Sequence, residues 1–309
     1  MAAWISFDSV REKIAVRINS RERLLKYIMI QMNSEQLRQV QMTELEILLE
    51  IDRICKKCGI RYSIIAGTML GAVRHKGFIP WDDDADVAML RPEYEKFREA
   101  CFTELDNNRF YFQDHVCTQG YRWGYGKLRR KDTLFLREYQ EHMPYEQGIF
   151  VDVFPLDAVP DSHIGRTVMN AQCYMIRKSL WSKVGKIAAS NRVKRLIYAV
   201  FDLIPEKCLL SALNRMISSA ERIDSRWVRI LTFPTPNREH GYRKEWYTGG
   251  ENAVFEGYIF PGVSDADAYL RFKYGNYKEY PPIEQRKTHP VSALSLIETK
   301  AVMQGANTE

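Results

Sequence analysis

Apolar residues recur at helical spacing between positions 34 and 57, where Leu37, Val40, Leu45, Leu48, Leu49, Ile51 and Ile54 form one stripe. Ser34 ahead of the stripe reads as an N-cap and Gly59 behind it as a C-terminal stop, so the pattern predicts a helix over 34–57. The pattern then changes. Residues 61–66 read as a buried strand closed by Gly67, 68–74 as a short helix, His75-Lys76-Gly77 as a turn and 85–90 as a second strand. Pro92 opens a further helix with Tyr94, Phe97 and Cys101 on one side. Strand-like pieces follow at 110–116, 121–128 and 133–137. A fourth, at 148–154, is apolar except for Asp152. Residues 164–225 are mostly helical with Arg- and Lys-rich faces. The last third mixes short strands, a helix near 266–274 and a Pro-rich turn. No internal repeat or low-complexity tract interrupts this order. Helix, strand, helix, strand, helix, strands predicts an α+β fold with a small mixed sheet flanked by helices, plus a helical insertion.

Four stretches divide the chain: a basic N-terminal helical extension (1–33), a core (34–160), a helical segment (161–225), and a C-terminal part completing the core (226–309). The 309 residues are 45% hydrophobic, enough for a sizeable core. The net charge of +6 suits anionic partners such as nucleotides, phosphorylated polymers or an acidic membrane surface. With no RNP, helix-turn-helix or paired-Cys/His finger pattern beside it, that charge does not indicate nucleic acid. Asp8, Arg11, Glu12 and Lys13 stand where a signal peptide would be apolar, and no run is long enough to span a bilayer. The expected location is therefore the cytoplasm, with the six cysteines reduced and the Cys55–Cys58 pair a helix-end feature. Ile5, Val10, Ile14 and Leu24 in the first 33 residues suit either a helix packed on its own domain, the preferred reading, or peripheral contact with an anionic membrane.

The chemistry concentrates in two short runs. Ala66-Gly67-Thr68-Met69-Leu70-Gly71 is a strand end turning into a helix, which offers backbone N–H groups to a phosphate. Pro80-Trp81-Asp82-Asp83-Asp84-Ala85-Asp86-Val87 carries four acids within five residues. Asp84 and Asp86 are two apart, so on a strand both carboxylates point to one face and can reach one hard cation. Asp82 has the same parity, and a solvated acidic loop is the bland alternative. Asp152, the single charge in an apolar strand, is the preferred third acid, with Asp157 as the fallback.

These residues sit in "AGTMLGAVRHKGFIPWDDDADVAM", followed by "GIFVDVFPLD" and, near the end, "YGNYKEYPPIEQRKTH". The three blocks, in this order over residues 66–289, resemble the LicD family, which is similar to the fukutin-type ribitol-phosphate transferases. The resemblance implies a nucleotidyltransferase-like core. It places Gly67 and Thr68 at the phosphate turn, and Asp84, Asp86 and Asp152 as catalytic acids holding Mg²⁺, or Mn²⁺ in its place. Ala85 departs mildly from the larger aliphatic residue expected there. The implied reaction moves phosphocholine from CDP-choline to a hydroxyl of a cell-surface glycan precursor, such as teichoic acid, lipooligosaccharide or capsule, with release of CMP. The acceptor is expected to be lipid-linked, which would bring the protein to the inner face of the plasma membrane. Arg74, Lys127, Arg286 and His289 are candidate phosphate ligands. A quaternary ammonium needs aromatic faces, and Trp81, Tyr121, Trp123, Tyr125 and Phe154, with Tyr274 as a further possibility, are the choline candidates. Tyr121, Trp123 and Tyr125 alternate and so share one face of their expected strand. Two alternatives stay open: another CDP-alcohol as donor (ribitol or glycerol), and a non-catalytic protein that binds nucleotide or glycan.

Overall fold

A computed structural model describes residues 31–297. The first helix, α1 (Ser34–Cys58), covers the stretch its pattern predicts and one residue more. Its cap is Asn33 rather than Ser34: the Asn33 side chain accepts from the Gln36 N–H at 2.8 Å, while the Gln36 side chain accepts from the Asn33 N–H at 3.1 Å. Gly59 ends it at φ 65°, the left-handed conformation that a glycine adopts without strain. Ile47, Leu48, Ile51 and Ile54 on the inner stripe are fully buried. At about 1.5–3 kcal/mol each, these four side chains anchor α1 far more strongly than its cap does.

After α1 come β1 (Ser63–Ile64), α2 (Ala66–His75), β2 (Ala85–Leu90), α3 (Arg91–Glu104), β3 (Phe110–Gln113), β4 (Gly126–Arg130), β5 (Leu134–Arg137) and β6 (Phe150–Val159). The helical segment is α4 (His163–Leu180), α5 (Ser182–Ala188), α6 (Arg192–Asp202) and α7 (Glu206–Ala220). The chain finishes with β7 (Trp227–Arg229), β8 (Tyr242–Arg243), β9 (Asn252–Phe255), β10 (Tyr258–Pro261), α8 (Ala266–Tyr274) and β11 (Val291–Ser295). The result is a mixed α+β fold with eight α-helices among the described residues. The sheet is larger than expected: seven strands, with β1-β2-β6-β4-β3 in order and β7 and β8 continuing from the far end of β6. β2 and β6 run parallel and the other pairs antiparallel. α1 packs on β4 and β6, and α3 on β2 and β6.

Two differences from the sequence reading have clear causes. β6 runs on past residue 154 to Val159 because its second half finds a new partner, β7. Residues 121–125 are not a strand, since β4 starts at Gly126, so the three aromatic residues there do not share a strand face. The alternation of large side chains there reflects packing around Tyr145 and its neighbours rather than a strand. The basic extension proposed for residues 1–33 lies almost wholly outside the described residues.

Candidate active site

The β2–β6–β4 centre of the sheet aligns three charged residues. Asp86 on β2 is in register with Asp152 on β6, and Asp152 is in register with Lys127 on β4. Their neighbours Val87, Val151, Val153 and Leu128 point the other way and are fully buried, as period-2 alternation requires. Lys127 Nζ donates to Asp152 Oδ1 and sits over the Phe150 ring, 3.3 Å from its centroid. Burial drives the Lys127 ammonium down to about 7, against the opposing pull of Asp152.

The loop ahead of β2 brings the other acids to the same place. Gln41 of α1 donates to the Ile79 and Asp82 carbonyls, at 3.3 and 2.9 Å, and so ties down the chain before the acids. Gly67 lies close under the Asp82 carboxylate: a Cβ there would stand 2.6 Å from Asp82 Oδ2 and push that side chain aside. Thr68 Oγ1 accepts from the Asp86 N–H at 2.8 Å, so this side chain positions the acid strand directly. Beside it Ala66 takes a left-handed φ of 50° and donates its N–H to the Tyr269 hydroxyl at 3.1 Å, a strained junction fixed by α8.

Asp83 is fully buried and receives both the His289 backbone N–H, at 2.9 Å, and the His289 ring Nδ1, at 2.8 Å. Asp84 lies 3.6 Å from His289 Nδ1 and 3.8 Å from Arg137. Asp86 has no ion pair or side-chain hydrogen bond among the described residues. Glu44 of α1, also buried, leaves Oε2 without a partner. Burial first, then mutual repulsion, lifts Glu44, Asp82 and Asp86 well above the ordinary carboxylate range. Asp84 is also lifted, chiefly by burial, with His289 and Arg137 pulling back. Sequence reading missed Glu44; the available signal was an acid on the buried stripe of an amphipathic helix.

An excess of hard oxygen donors over nearby cations is the chemistry that suits a divalent metal such as Mg²⁺. As they stand, no three His, Cys, Asp or Glu side chains among the described residues converge on one point to hold a metal. The reason is electrostatic: Asp152 turns to Lys127 and Asp84 to Arg137 and His289, as carboxylates do when nothing else screens them. The fallback acid Asp157 has another role. Its two oxygens accept from Arg91 Nε and Nη2, each at 2.7 Å, in a buried bidentate pair behind the sheet.

A cavity of ≈ 330 Å³ opens beside these acids. Trp123, Tyr125, Trp181 and Phe233 form its aromatic wall, and Arg137, Arg177 and Lys178 its cationic one. Arg137 belongs to both cavity and acid cluster, and its Nε and Nη2 lack hydrogen-bond partners. The choline candidates therefore separate. Trp123 and Tyr125 line the cavity. Phe154 is buried behind it, with its centroid 4.8 Å from Tyr125 and 5.0 Å from Phe233. Tyr121 is fully buried against Tyr145 and away from the cavity lining. Trp81 belongs to a different patch with His75, Tyr280 and Arg286, whose guanidinium lies 4.7 Å over its ring. Tyr274 is half exposed on α8. Arg74 donates to the Tyr277 and Glu279 carbonyls at 3.0 and 3.2 Å, so it clamps the C-terminal turn. Trp181, Phe233, Arg137, Arg177 and Lys178 were not singled out from sequence, because helical and loop positions remote in the chain only meet on folding.

Residues 59–188 match the family model described as the LicD/FKTN/FKRP nucleotidyltransferase domain. The matched stretch spans the acid loop, Lys127, Asp152 and the Trp123, Tyr125 and Trp181 side of the cavity. The chain is 27% identical over 264 residues to the lipopolysaccharide cholinephosphotransferase LicD of Haemophilus influenzae, an alignment covering 82% of this chain and 96% of that protein. Shorter matches, 37% identical over 54 residues and 40% over 48, link it to uncharacterised proteins of Rickettsia typhi and Rickettsia prowazekii, covering 18% and 16% of this chain and 18% of each relative. No helix among the described residues is long and apolar enough to cross a membrane.

Proposed function

We propose that this protein is a phosphocholine transferase with a nucleotidyltransferase-like core, moving phosphocholine from CDP-choline to a hydroxyl of a glycan precursor and releasing CMP. The observation that carries the reading is the in-register row Asp86–Asp152–Lys127 beside the acid loop, with an aromatic and cationic cavity next to it. The near full-length similarity to a cholinephosphotransferase of Haemophilus influenzae supports the substrate class.

Asp84, Asp86 and Asp152 would hold Mg²⁺, which when bound supplies charge neutralisation at the donor diphosphate. Arg137, which lines the cavity and whose Nε and Nη2 lack hydrogen-bond partners, would bind a donor phosphate oxygen. The acceptor oxygen attacks the phosphorus carrying choline, and the bond from that phosphorus to the CMP oxygen breaks. Lys127 orients the Asp152 carboxylate, which would either complete the metal shell or accept the acceptor's proton. The Trp123, Tyr125, Trp181 and Phe233 faces would receive the trimethylammonium group.

One observation favours a second reading. Arg137, Arg177 and Lys178 repel a cationic headgroup, so a neutral alcohol such as ribitol or glycerol on the same CDP carrier also suits the cavity. Calorimetric titration with CDP-choline, CDP-ribitol, CDP-glycerol and UDP-glucose, with and without Mg²⁺, separates the two. Metal-dependent binding of CDP-choline that disappears in Asp84→Ala is the expected result. Selective binding of another CDP-alcohol would replace the substrate, and no nucleotide binding at all would point to a non-catalytic role.

A further inference from the structure

Helix α6 is built inside out. On a helical projection Val193, Leu196, Ile197, Val200 and Ile204 share one arc, whereas Tyr198 and Asp202 lie opposite. In a helix packed on its own domain the apolar arc would face inward. Here Val193 is 68% exposed, Leu196 67%, Val200 55% and Leu203, just past the helix end, 80%. The inward contacts belong to the polar side. The Tyr198 hydroxyl accepts from Lys178 Nζ at 3.1 Å, and its ring lies on Gly185, where a Cβ would stand 2.7 Å away. Asp202 accepts from Lys186 and from Ser182. No residue of α6 itself is buried.

Charge indicates what covers this face. Residues 177–215 carry nine Lys and Arg against two Asp and Glu, a net +7, while the whole chain carries only +6. Arg192 and Lys194 are exposed at the two borders of the apolar arc, where long basic side chains can reach headgroups as the arc enters the lipid. A second copy of the chain would present the same +7 and be repelled. Residues 1–30, with six Lys and Arg against three Asp and Glu, are basic as well and do not complement it. An anionic bilayer does.

We infer that α6 is a membrane-docking helix that lies in the interface of an anionic bilayer with its Leu196–Val200 face inserted. This rests on the helix alone and goes beyond the proposed transfer reaction. It would also hold the helices that α6 packs against, which carry Arg177 and Lys178 of the cavity, close to the bilayer, within reach of a lipid-linked acceptor.

The test is co-sedimentation of the full chain with vesicles of phosphatidylcholine alone or mixed with phosphatidylglycerol. Binding is expected only to the mixed vesicles, and Leu196→Glu with Val200→Glu should weaken it by roughly tenfold or more. Both side chains are largely exposed, so the variant should keep the wild-type melting temperature and CDP-choline binding, which separates loss of docking from loss of fold or of the transfer site. A milder Leu196→Ser should weaken binding by an intermediate amount. The inference falls if the wild type ignores anionic vesicles. It also falls if the double variant binds them as well as wild type does, which would hand docking to another segment. A concentration-dependent dimer abolished by the double variant, with no vesicle binding, would overturn it in favour of a second copy.

Discussion

Replacing Asp86 by Asn changes one charge at the centre of the row and leaves the shape alone. Neighbouring strands lie about 4.8 Å apart, and Asp86 and Asp152 are in register on neighbouring strands. Two carboxylates about 6 Å apart repel by roughly 3 kcal/mol at an effective dielectric of about 20. Lys127 on Asp152 and the lifted proton affinity of the buried Asp86 offset much of this, and Asp84 adds to it, which leaves about 1 kcal/mol of net strain. In metal-free buffer near neutral pH, Asp86→Asn should therefore melt about 2–4 °C above wild type. Added Mg²⁺ should raise the wild-type melting temperature and move the variant little, because the relief has already occurred and a ligand is gone. CMP release from CDP-choline should fall by about 10²–10³-fold or more. The assay is thermal unfolding in EDTA and in Mg²⁺, followed by product analysis on the same preparations. A variant that melts lower without metal yet keeps the full Mg²⁺ shift would show that the Asp86 carboxylate supports the fold, and would refute the reasoning.

Other outcomes follow from the same contacts. Arg91→Met strands the Asp157 carboxyl inside the protein and should cost about 3–5 kcal/mol in urea unfolding, whereas Arg91→Met with Asp157→Leu should recover most of that; a double variant no better than the single would argue against a burial penalty. Arg38, half exposed, holds the Glu256 carboxyl below its ordinary value, so the stabilisation is present above about 4.5 and is lost as pH falls through the depressed native value. Glu256→Gln should therefore destabilise by about 1 kcal/mol at neutral pH, a screened figure for a partly exposed pair, and the gap to wild type should close in acid; a gap that widens in acid would contradict it. Phe233→Leu should weaken CDP-choline binding by about 2- to 30-fold and leave CDP-glycerol nearly unchanged, since only the ammonium uses the ring face; equal losses for both donors would make Phe233 a packing residue.

How much of this was legible beforehand depended on the range of the interaction. The α1 stripe, Asp86 on β2, Asp152 on β6 and the helix at Ala266–Tyr274 could be read from the chain, because period and parity are local properties of the backbone. The Asn33 cap was displaced by one residue, since two neighbouring polar residues offer the same capping chemistry and only the reciprocal bond with Gln36 chooses between them.

The sequence by itself determined that an acid would stand on a strand after a Gly-Thr turn, with further acids just ahead of it, and that an aromatic-rich stretch would follow. Folding decided what those groups face. The register of β2, β6 and β4 sets Asp86, Asp152 and Lys127 in a row although they are far apart in the chain. Helices α4 and α5 and the loop after β7 bring Arg177, Trp181 and Phe233 around Trp123 and Tyr125. Tyr121 stays out of that group, packed against Tyr145 from the segment between β5 and β6. Sequence likewise gave α6 its amphipathic pattern, but which side of that helix faces the protein was decided by Tyr198 on Gly185 and Asp202 on Lys186. Local periodicity fixes which side chains share a face; long-range packing alone fixes what that face meets.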